Sequence, residues 1–552
     1  MQTLRPRAAR ATVPPGFDRS GRLGATPQGA ARRLPSPPAV LWLPALLVVA
    51  LALLPLGYLV VRAAEAGPLF WETVLRARTA RVVLNSALLA AAVAGSTTLL
   101  AVPLAWLTTR TDLPGRRAWG MLAVLPIVIP SYVGALAVVA AFGPRGSLQG
   151  LLEPLGVDRL PSIYGFWGTW LTLTLFTYPY VLLAVRAALR GLDPALEEAA
   201  RGLGHGSCRV FGSTTLPQLR PAIAGGALLA ALYALGDFGV PTLLRYDVFT
   251  RAVFVQYRSA MDRSAAAALA LLLVAVTVGL LVVEARLRGS ATLHSIGSGA
   301  ARRTRPTPLG RWKAPAVAFC ALTVALALGM PLLVLAGWLL QAARSGAAFE
   351  GLGVAAIHSL SLGGWTALAA TAAALPIALL AVRFSGRWGM LAERVSYLGY
   401  ALPGIVVALA FVALGVRTPF HQTLALLVVA YGVRFLPEAV GANRLSLLQI
   451  NPRLEEAARG LGASTVATVR RVTVPLARPG LLAGASLVLL TTMKELPVTL
   501  LLSPTGYDTL ATRIWTTAND AAYGQAAAPA LLLVVVSAVP TLLLTARDRA
   551  RA

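Results

Sequence analysis

Residues 193–204 read DPALEEAARGLG, and residues 451–462 read NPRLEEAARGLG. The two stretches lie 258 positions apart, and the offset persists beyond them: Pro179 falls on Pro437, Pro217 on Pro475, Pro221 on Pro479, and Asp237 on Glu495. Further upstream, Pro103 in AVPLAW matches Pro376 in ALPIAL, and Pro130 matches Pro403, now 273 apart. The 15-residue difference falls in GPRGSLQGLLEPLGVDRLPS, whose counterpart around VRTPFHQT is shorter; surface segments tolerate such insertions. The chain is therefore two copies of one unit.

Composition says where the unit lives. Of 552 residues, 57% are hydrophobic and 13% charged, with a mean hydropathy of +0.70. A soluble protein carries about 25% charged residues. A soluble enzyme, a disordered chain and a collagen-like chain are excluded, and a polytopic membrane protein remains. The net charge of +27 comes from arginines scattered between apolar runs, a pattern of membrane topology rather than of a nucleic-acid face.

A helical span needs about 20 apolar residues. Nine runs qualify: 40–61, 82–109, 118–144, 160–185, 264–283, 314–343, 351–382, 395–416 and 521–546. Three more carry charge: one from Pro221 through Asp237, one from Thr423 through Arg434 and Glu438, and one from Pro479 through Lys494 and Glu495. None alternates with the period of a barrel strand. The expected fold is all-α, with about twelve transmembrane helices as two parallel six-helix repeats. An even number of spans per repeat places both EEAARGLG segments on one side. The arginine balance makes that side, and both termini, cytoplasmic, although 62–81 and 244–263 on the other side hold four arginines each. The expected divisions are a disordered Arg/Pro-rich tail (1–38), a first repeat (39–286), a cytoplasmic linker (287–313), a second repeat (314–547) and a short tail (548–552).

Within each repeated loop, Asp193 and Asn451 suit an N-cap, Pro194 and Pro452 the first helical position, and Gly204 and Gly462 the terminus. Leu196, Ala199, Ala200 and Leu203 form an apolar stripe. A helix of two to three turns is not stable alone. It could lie on lipid. Two near-identical copies among less similar spans point instead to one shared partner.

These loops resemble the EAA loop of permease subunits of binding-protein-dependent ABC importers, whose pattern is EAA, three residues, Gly, nine residues, an aliphatic residue, one residue, then Leu-Pro. The first copy supplies Glu197, Glu198, Ala199, Ala200, Gly204 and Pro217; the second supplies Glu455, Glu456, Ala457, Ala458, Gly462 and Pro475. Thr214 stands for the usual Ile and Val474 for the usual Leu. The resemblance covers nearly the whole chain as two fused type I permease domains in an inner membrane. It implies that the loops are coupling helices docking on ATPase subunits, and that a periplasmic binding protein delivers the substrate. Two alike loops imply an ATPase homodimer. No GxxxxGK[ST] phosphate loop occurs, so ATP and Mg belong to that partner and no cofactor is expected in this chain.

Asp237, Lys494 and Glu495 stand within apolar spans, roughly 24 Å up from Pro221 and Pro479 at ~1.5 Å per residue. They are candidate pathway residues, or they snorkel outward or pair with each other. Arg434 and Glu438, one turn apart, suit a structural ion pair. The histidines at 205, 294, 358 and 421 suit no metal site, and Cys208 and Cys320 suit neither a metal pair nor a disulfide framework. LGDFGVPTLL with YDVFTR, and MKELPVTLLLSPTGYDTLATRIW, are similar to fused permeases of ferric-iron importers, which implies Fe(III) as substrate. Thiamine, sulfate, polyamine and phosphonate permeases share the layout. A gradient-driven secondary transporter is the competing class.

Overall fold

The computed structural model describes residues 39–192, 194–288, 306–346, 349–384 and 386–550. The tail 1–38, Asp193 and most of the linker lie outside them. Among the described residues there are helices and one isolated β-bridge, Thr111 with Thr307. In lipid this is the physical expectation, since a helix satisfies its own backbone groups.

Among the described residues, ten helices are long and apolar enough to cross a membrane. In the first repeat they are span 1 (Ala39–Ala66), span 2 (Ala77–Arg110), span 3 (Ser131–Leu155), span 4 (Phe166–Gly191), span 5 (Phe211–Gly236) and span 6 (Arg263–Val283). In the second they are span 7 (Gly310–Arg344), span 8 (Leu352–Arg383), span 10 (Leu424–Gln449) and span 11 (Thr465–Lys494). Two shorter apolar helices, Gly404–Val416 and Tyr523–Ala538, stand where spans 9 and 12 belong.

Three expectations need correction. The runs 118–144 and 395–416 are not continuous helices. The first is Arg116–Leu122, a 3-10 turn Leu125–Val128 and a new helix Ser131–Phe142. The second is Leu398–Ala401 followed by Gly404–Val416. Pro130 and Pro403 stand immediately before the new helices, and a proline has no N–H to continue the old one. Spans 5 and 11 do not begin at Pro221 and Pro479, which lie inside the helices Leu216–Gly236 and Val474–Lys494. Each is preceded by a π turn, Phe211–Thr215 and Val469–Thr473. Measured from Phe211, span 5 reaches roughly 39 Å before Asp237, so Asp237 and Glu495 cap the far ends of their helices. Finally, Arg434 and Glu438 are directed to different partners, given below.

The repeats are intertwined. Span 1 packs on span 8, on the helix Arg387–Ser396 and on Gly404–Val416, all in the other repeat, besides span 6 of its own. Span 7 reciprocates, lying on Ser131–Phe142 of the first repeat and on the Tyr523–Ala550 helix of its own. Both large apolar cores accordingly draw residues from both halves: Leu104, Val133 and Leu335 in one, Leu59, Leu273 and Phe411 in the other.

The segment entering span 7 is anchored to the first repeat. Asp112 N donates to Thr307 O and Thr307 N to Arg110 O, at 3.1 and 2.8 Å. Leu309 N donates to Asp112 Oδ1 at 2.8 Å, and Lys313 pairs with Asp112 at 2.8 Å. The Lys313 ammonium and the Leu309 amide hold the Asp112 carboxyl below its ordinary value.

Candidate functional site

The two repeated loops fold alike. Helix Pro194–Gly202 is followed by Gly204 at φ +82°, and helix Pro452–Gly460 by Gly462 at φ +86°. His205 N reaches back to Ala200 O and Gly204 N to Arg201 O; Ala463 and Gly462 repeat this on Ala458 and Arg459. Both are Schellman ends, which need the left-handed residue that glycine supplies. Asn451 caps its helix, its side chain accepting from Arg453 N at 3.0 Å.

Within the pair of glutamates, the roles divide. Glu197 and Glu455 are 6% and 7% exposed, whereas Glu198 and Glu456 face outward. Thr215 Oγ1 donates to Glu197 Oε1, and Thr473 Oγ1 to Glu455 Oε1, both at 3.0 Å. Each threonine is the last residue of a π turn, and that extra residue per turn places the hydroxyl beneath the loop helix. Arg201 pairs with Glu197 at 3.5 Å. Arg383, at the end of span 8, pairs with Glu455 at 3.0 Å and donates to Leu447 O and Ile450 O. Its counterpart Arg110 ends span 2 and donates to Leu189 O and Leu192 O. Glu197 therefore fastens its loop to the foot of span 5, whereas Glu455 fastens its loop to spans 8 and 11 and, through Arg383, to the end of span 10.

Beside Glu198 and Glu456, the outward face carries apolar side chains. Leu196 and Leu203 are exposed, as are Leu454 and Leu461, the last at 90%. Ala199 and Ala457 are exposed with them, while Ala200 and Ala458 are half-buried. Pro217 and Pro475 open the helices that follow. The leucines of the stripe point away from the protein, as a face for a partner requires, and the buried side chain is a glutamate. No apolar pattern signals that. The repeated threonine 18 residues after each glutamate was the available clue.

The other candidates cluster at the breaks. Asp237 is 9% exposed. Its carboxylate accepts from Ser131 Oγ and, at 2.9 Å, from Val240 N, while Thr250 donates to its carbonyl at 2.7 Å. Asp237 thus ties the end of span 5 to the restart of span 3. In the second repeat Gly404 stands at the Ser131 position, and Glu495 fills the space a side chain there would take. A serine with an aspartate is replaced by a glycine with a longer acid. Gly404→Ser alone is therefore expected to cost about 1–3 kcal/mol through overpacking. Adding Glu495→Asp should recover most of it. Melting of the purified chain checks this, and simple additivity of the two losses would contradict the pairing.

Lys494 and Glu495 do not pair with each other: Lys494 Nζ donates to Ile127 O, in the first repeat, at 3.0 Å. Arg434 Nη1 donates to Gly399 O at 3.3 Å and also to Leu402 O, and Glu438 accepts from Thr491 at 3.0 Å. Among the described residues no group of three or more His, Cys, Asp or Glu side chains is placed to hold a metal ion. His358 has a structural role. Its Nδ1 meets Asp508 O at 2.9 Å and its ring stacks on Tyr507, while Asn85, its counterpart, donates to Asp247 O at 2.9 Å. These bonds seat the helices Phe249–Arg258 and Leu510–Asn519, whose first amides rest on Ser86 and Ser359.

Residues 98–288 and 373–551 each match the family described as "binding-protein-dependent transport system inner membrane component". A Fe(3+)-transport system permease protein of Haemophilus influenzae is 32% identical over 512 residues, 91% of this chain and 97% of that protein. A ferric transport system permease protein of Actinobacillus pleuropneumoniae is 24% identical over 83% of this chain and 69% of its own length. A molybdenum transport system permease protein of Escherichia coli is 35% identical over 136 residues, 24% of this chain and 58% of that protein.

Proposed function

The chain belongs to the binding-protein-dependent transport system inner membrane components, an ABC importer permease with two fused repeats, and on that premise we propose that it carries Fe(III) into the cytoplasm. As a member of that family it is a multi-pass inner-membrane transport component. The observation that carries the iron proposal is the likeness to the Haemophilus ferric permease over nearly the full length of both chains. The molybdenum permease is alike over a quarter of this chain.

In this proposal a loaded periplasmic binding protein docks at the end opposite the EEAARGLG helices. ATP and Mg bind between two copies of a separate ATPase on the cytoplasmic side, and the arginine balance supports both termini lying there too. The exposed leucines of the two loop helices sit in the ATPase subunits, and their near-identity supports a homodimer. Closure of the ATPases moves the loops. Glu197, bonded to the foot of span 5, and Glu455, bonded to spans 8 and 11, pass the motion to the bundle. The breaks in spans 3 and 9 stand where the halves meet, beside Asp237, Lys494 and Glu495, the candidate pathway.

The test is ATP hydrolysis by the assembled complex with its binding protein loaded with Fe(III), and in parallel with thiamine, sulfate or molybdate. Stimulation by the iron-loaded form is expected. Stimulation by another solute and none by iron keeps the importer and discards iron. Uptake by the chain alone, driven by an ion gradient without ATP, contradicts the importer.

A further inference from the structure

Each broken span leaves carbonyl oxygens without their helical donors. Pro130 and Pro403 carry no N–H for the carbonyl four residues earlier, and the restart of the helix turns the next amides away. In a membrane interior an unpaired carbonyl is costly, so something must donate to it.

The two repeats solve this differently. In the second, Arg434 on span 10 donates to Gly399 O and Leu402 O of its own repeat's break. In the first, the residue equivalent to Arg434 is Phe176, which has nothing to donate. Ile129 N turns back to Pro126 O at 3.1 Å. Ile127 O receives its donor from the other repeat: Lys494 Nζ, on span 11, at 3.0 Å. The residue equivalent to Lys494 is Gly236, so no matching side chain returns from the first repeat to the second. Lys313 and Lys494 are the lysines of the chain, and Lys494 is the last residue of the span 11 helix.

Arg434 moves with the carbonyls it serves. Lys494 reaches across the boundary between two bodies that alternating access must displace. It also has a second partner at home. Glu438, on span 10, is held by Thr491, which lies one turn before Lys494, and the Glu438 carboxylate is within electrostatic reach of the ammonium. An ammonium on a flexible four-carbon stem can exchange one acceptor for the other.

We propose that Lys494 is a positioning residue for transport, a latch that holds the two repeats together at Ile127 O in the resting importer and turns to Glu438 when the halves separate. This rests on the importer proposal above. The latch makes the resting state costly to leave, so ATP hydrolysis stays low until a loaded binding protein docks.

The experiment compares the assembled complex of the unmodified chain with Lys494→Met and Lys494→Arg, in liposomes. Hydrolysis is measured with and without loaded binding protein, and uptake per ATP is measured alongside. Lys494→Met is expected to raise hydrolysis without binding protein about fivefold or more, the lower end of the range for coupled sites, and to lower uptake per ATP. Lys494→Arg, which keeps the charged donor, is expected to stay within about twofold of the parent on both. No stimulation in the unmodified complex overturns the importer proposal and the latch with it. Stimulation in the parent with Lys494→Met unchanged overturns the latch alone. So does a raised resting rate in Lys494→Arg equal to that of Lys494→Met. Failure of both Lys494→Met and Lys494→Leu to assemble also overturns it, because the lysine then supports the fold in every state.

Discussion

Replacing Glu455 with alanine is expected to abolish ATP-driven uptake while the spans remain inserted. Glu455 is 7% exposed and carries two bonds, from Arg383 on span 8 and Thr473 in the π turn before span 11. Removing it leaves the Arg383 guanidinium buried without its carboxylate. Losing one partner of such a pair costs about 3–5 kcal/mol. That cost falls on the loop, so the helix Pro452–Gly460 should come away from the bundle. Hydrogen exchange over 451–473 should rise sharply while spans 8 and 10 stay protected. Glu456→Ala should leave exchange unchanged, since Glu456 faces outward; any loss there acts through the partner. Parental uptake in Glu455→Ala would show that the loop is held by something other than this glutamate.

Leucine at Gly226 or Gly484 is expected to prevent correct packing of its repeat. A Cβ on Gly226 would lie 2.8 Å from Val181 Cα, and one on Gly484 would lie 2.7 Å from Ala442 Cβ. The two glycines are equivalents at the 258 offset, and both mark where the fourth helix of a repeat crosses the fifth. Small residues there let backbones approach, which drives helix association where lipid supplies no hydrophobic force. The obstacle at Gly226 is main chain, so it cannot rotate aside. Overpacking commonly costs about 1–3 kcal/mol and more where backbone must move. Size-exclusion and thermal melting in detergent should show aggregation or a large loss of stability. Gly57→Leu, where a side chain meets nothing, should be harmless. Equal behaviour of the three variants would contradict the close crossing.

The parts legible in the sequence are those carried by composition and repetition. The twelve apolar stretches, the duplication and the paired loops all follow from residue counts and offsets, and the structure places a helix at each. What composition misses is the backbone at Pro130 and Pro403. A hydropathy run adds side chains and takes no account of a missing N–H, so two broken spans read as whole. The starts of spans 5 and 11 are hidden for the opposite reason: Pro221 and Pro479 look like boundaries, but a proline early in a long helix is tolerated when neighbours support the turn. Glu197 and Glu198 are indistinguishable along the chain. Which of them is buried depends on Thr215 and Arg201, and on Arg383 in the second copy, and those positions are fixed only in three dimensions. Arg434 and Glu438 sit at ion-pair spacing on one helix, yet carbonyls freed by a break elsewhere claim the arginine.

The central claim is that the two exposed loop helices turn ATP hydrolysis into movement of Fe(III) through this chain. The direct measurement is uptake of radiolabelled Fe(III) into liposomes holding the complex, with ATP on the ATPase side and loaded binding protein on the other. The unmodified chain is compared with a Glu198→Lys, Glu456→Lys double variant, whose changes lie on the outward face and leave Glu197 and Glu455 in place. ATP-dependent iron uptake in the first, lost in the second although the chain itself remains folded, is the predicted result. Iron uptake at the parental rate in the double variant, or no iron uptake by an unmodified complex that hydrolyses ATP, would contradict the claim.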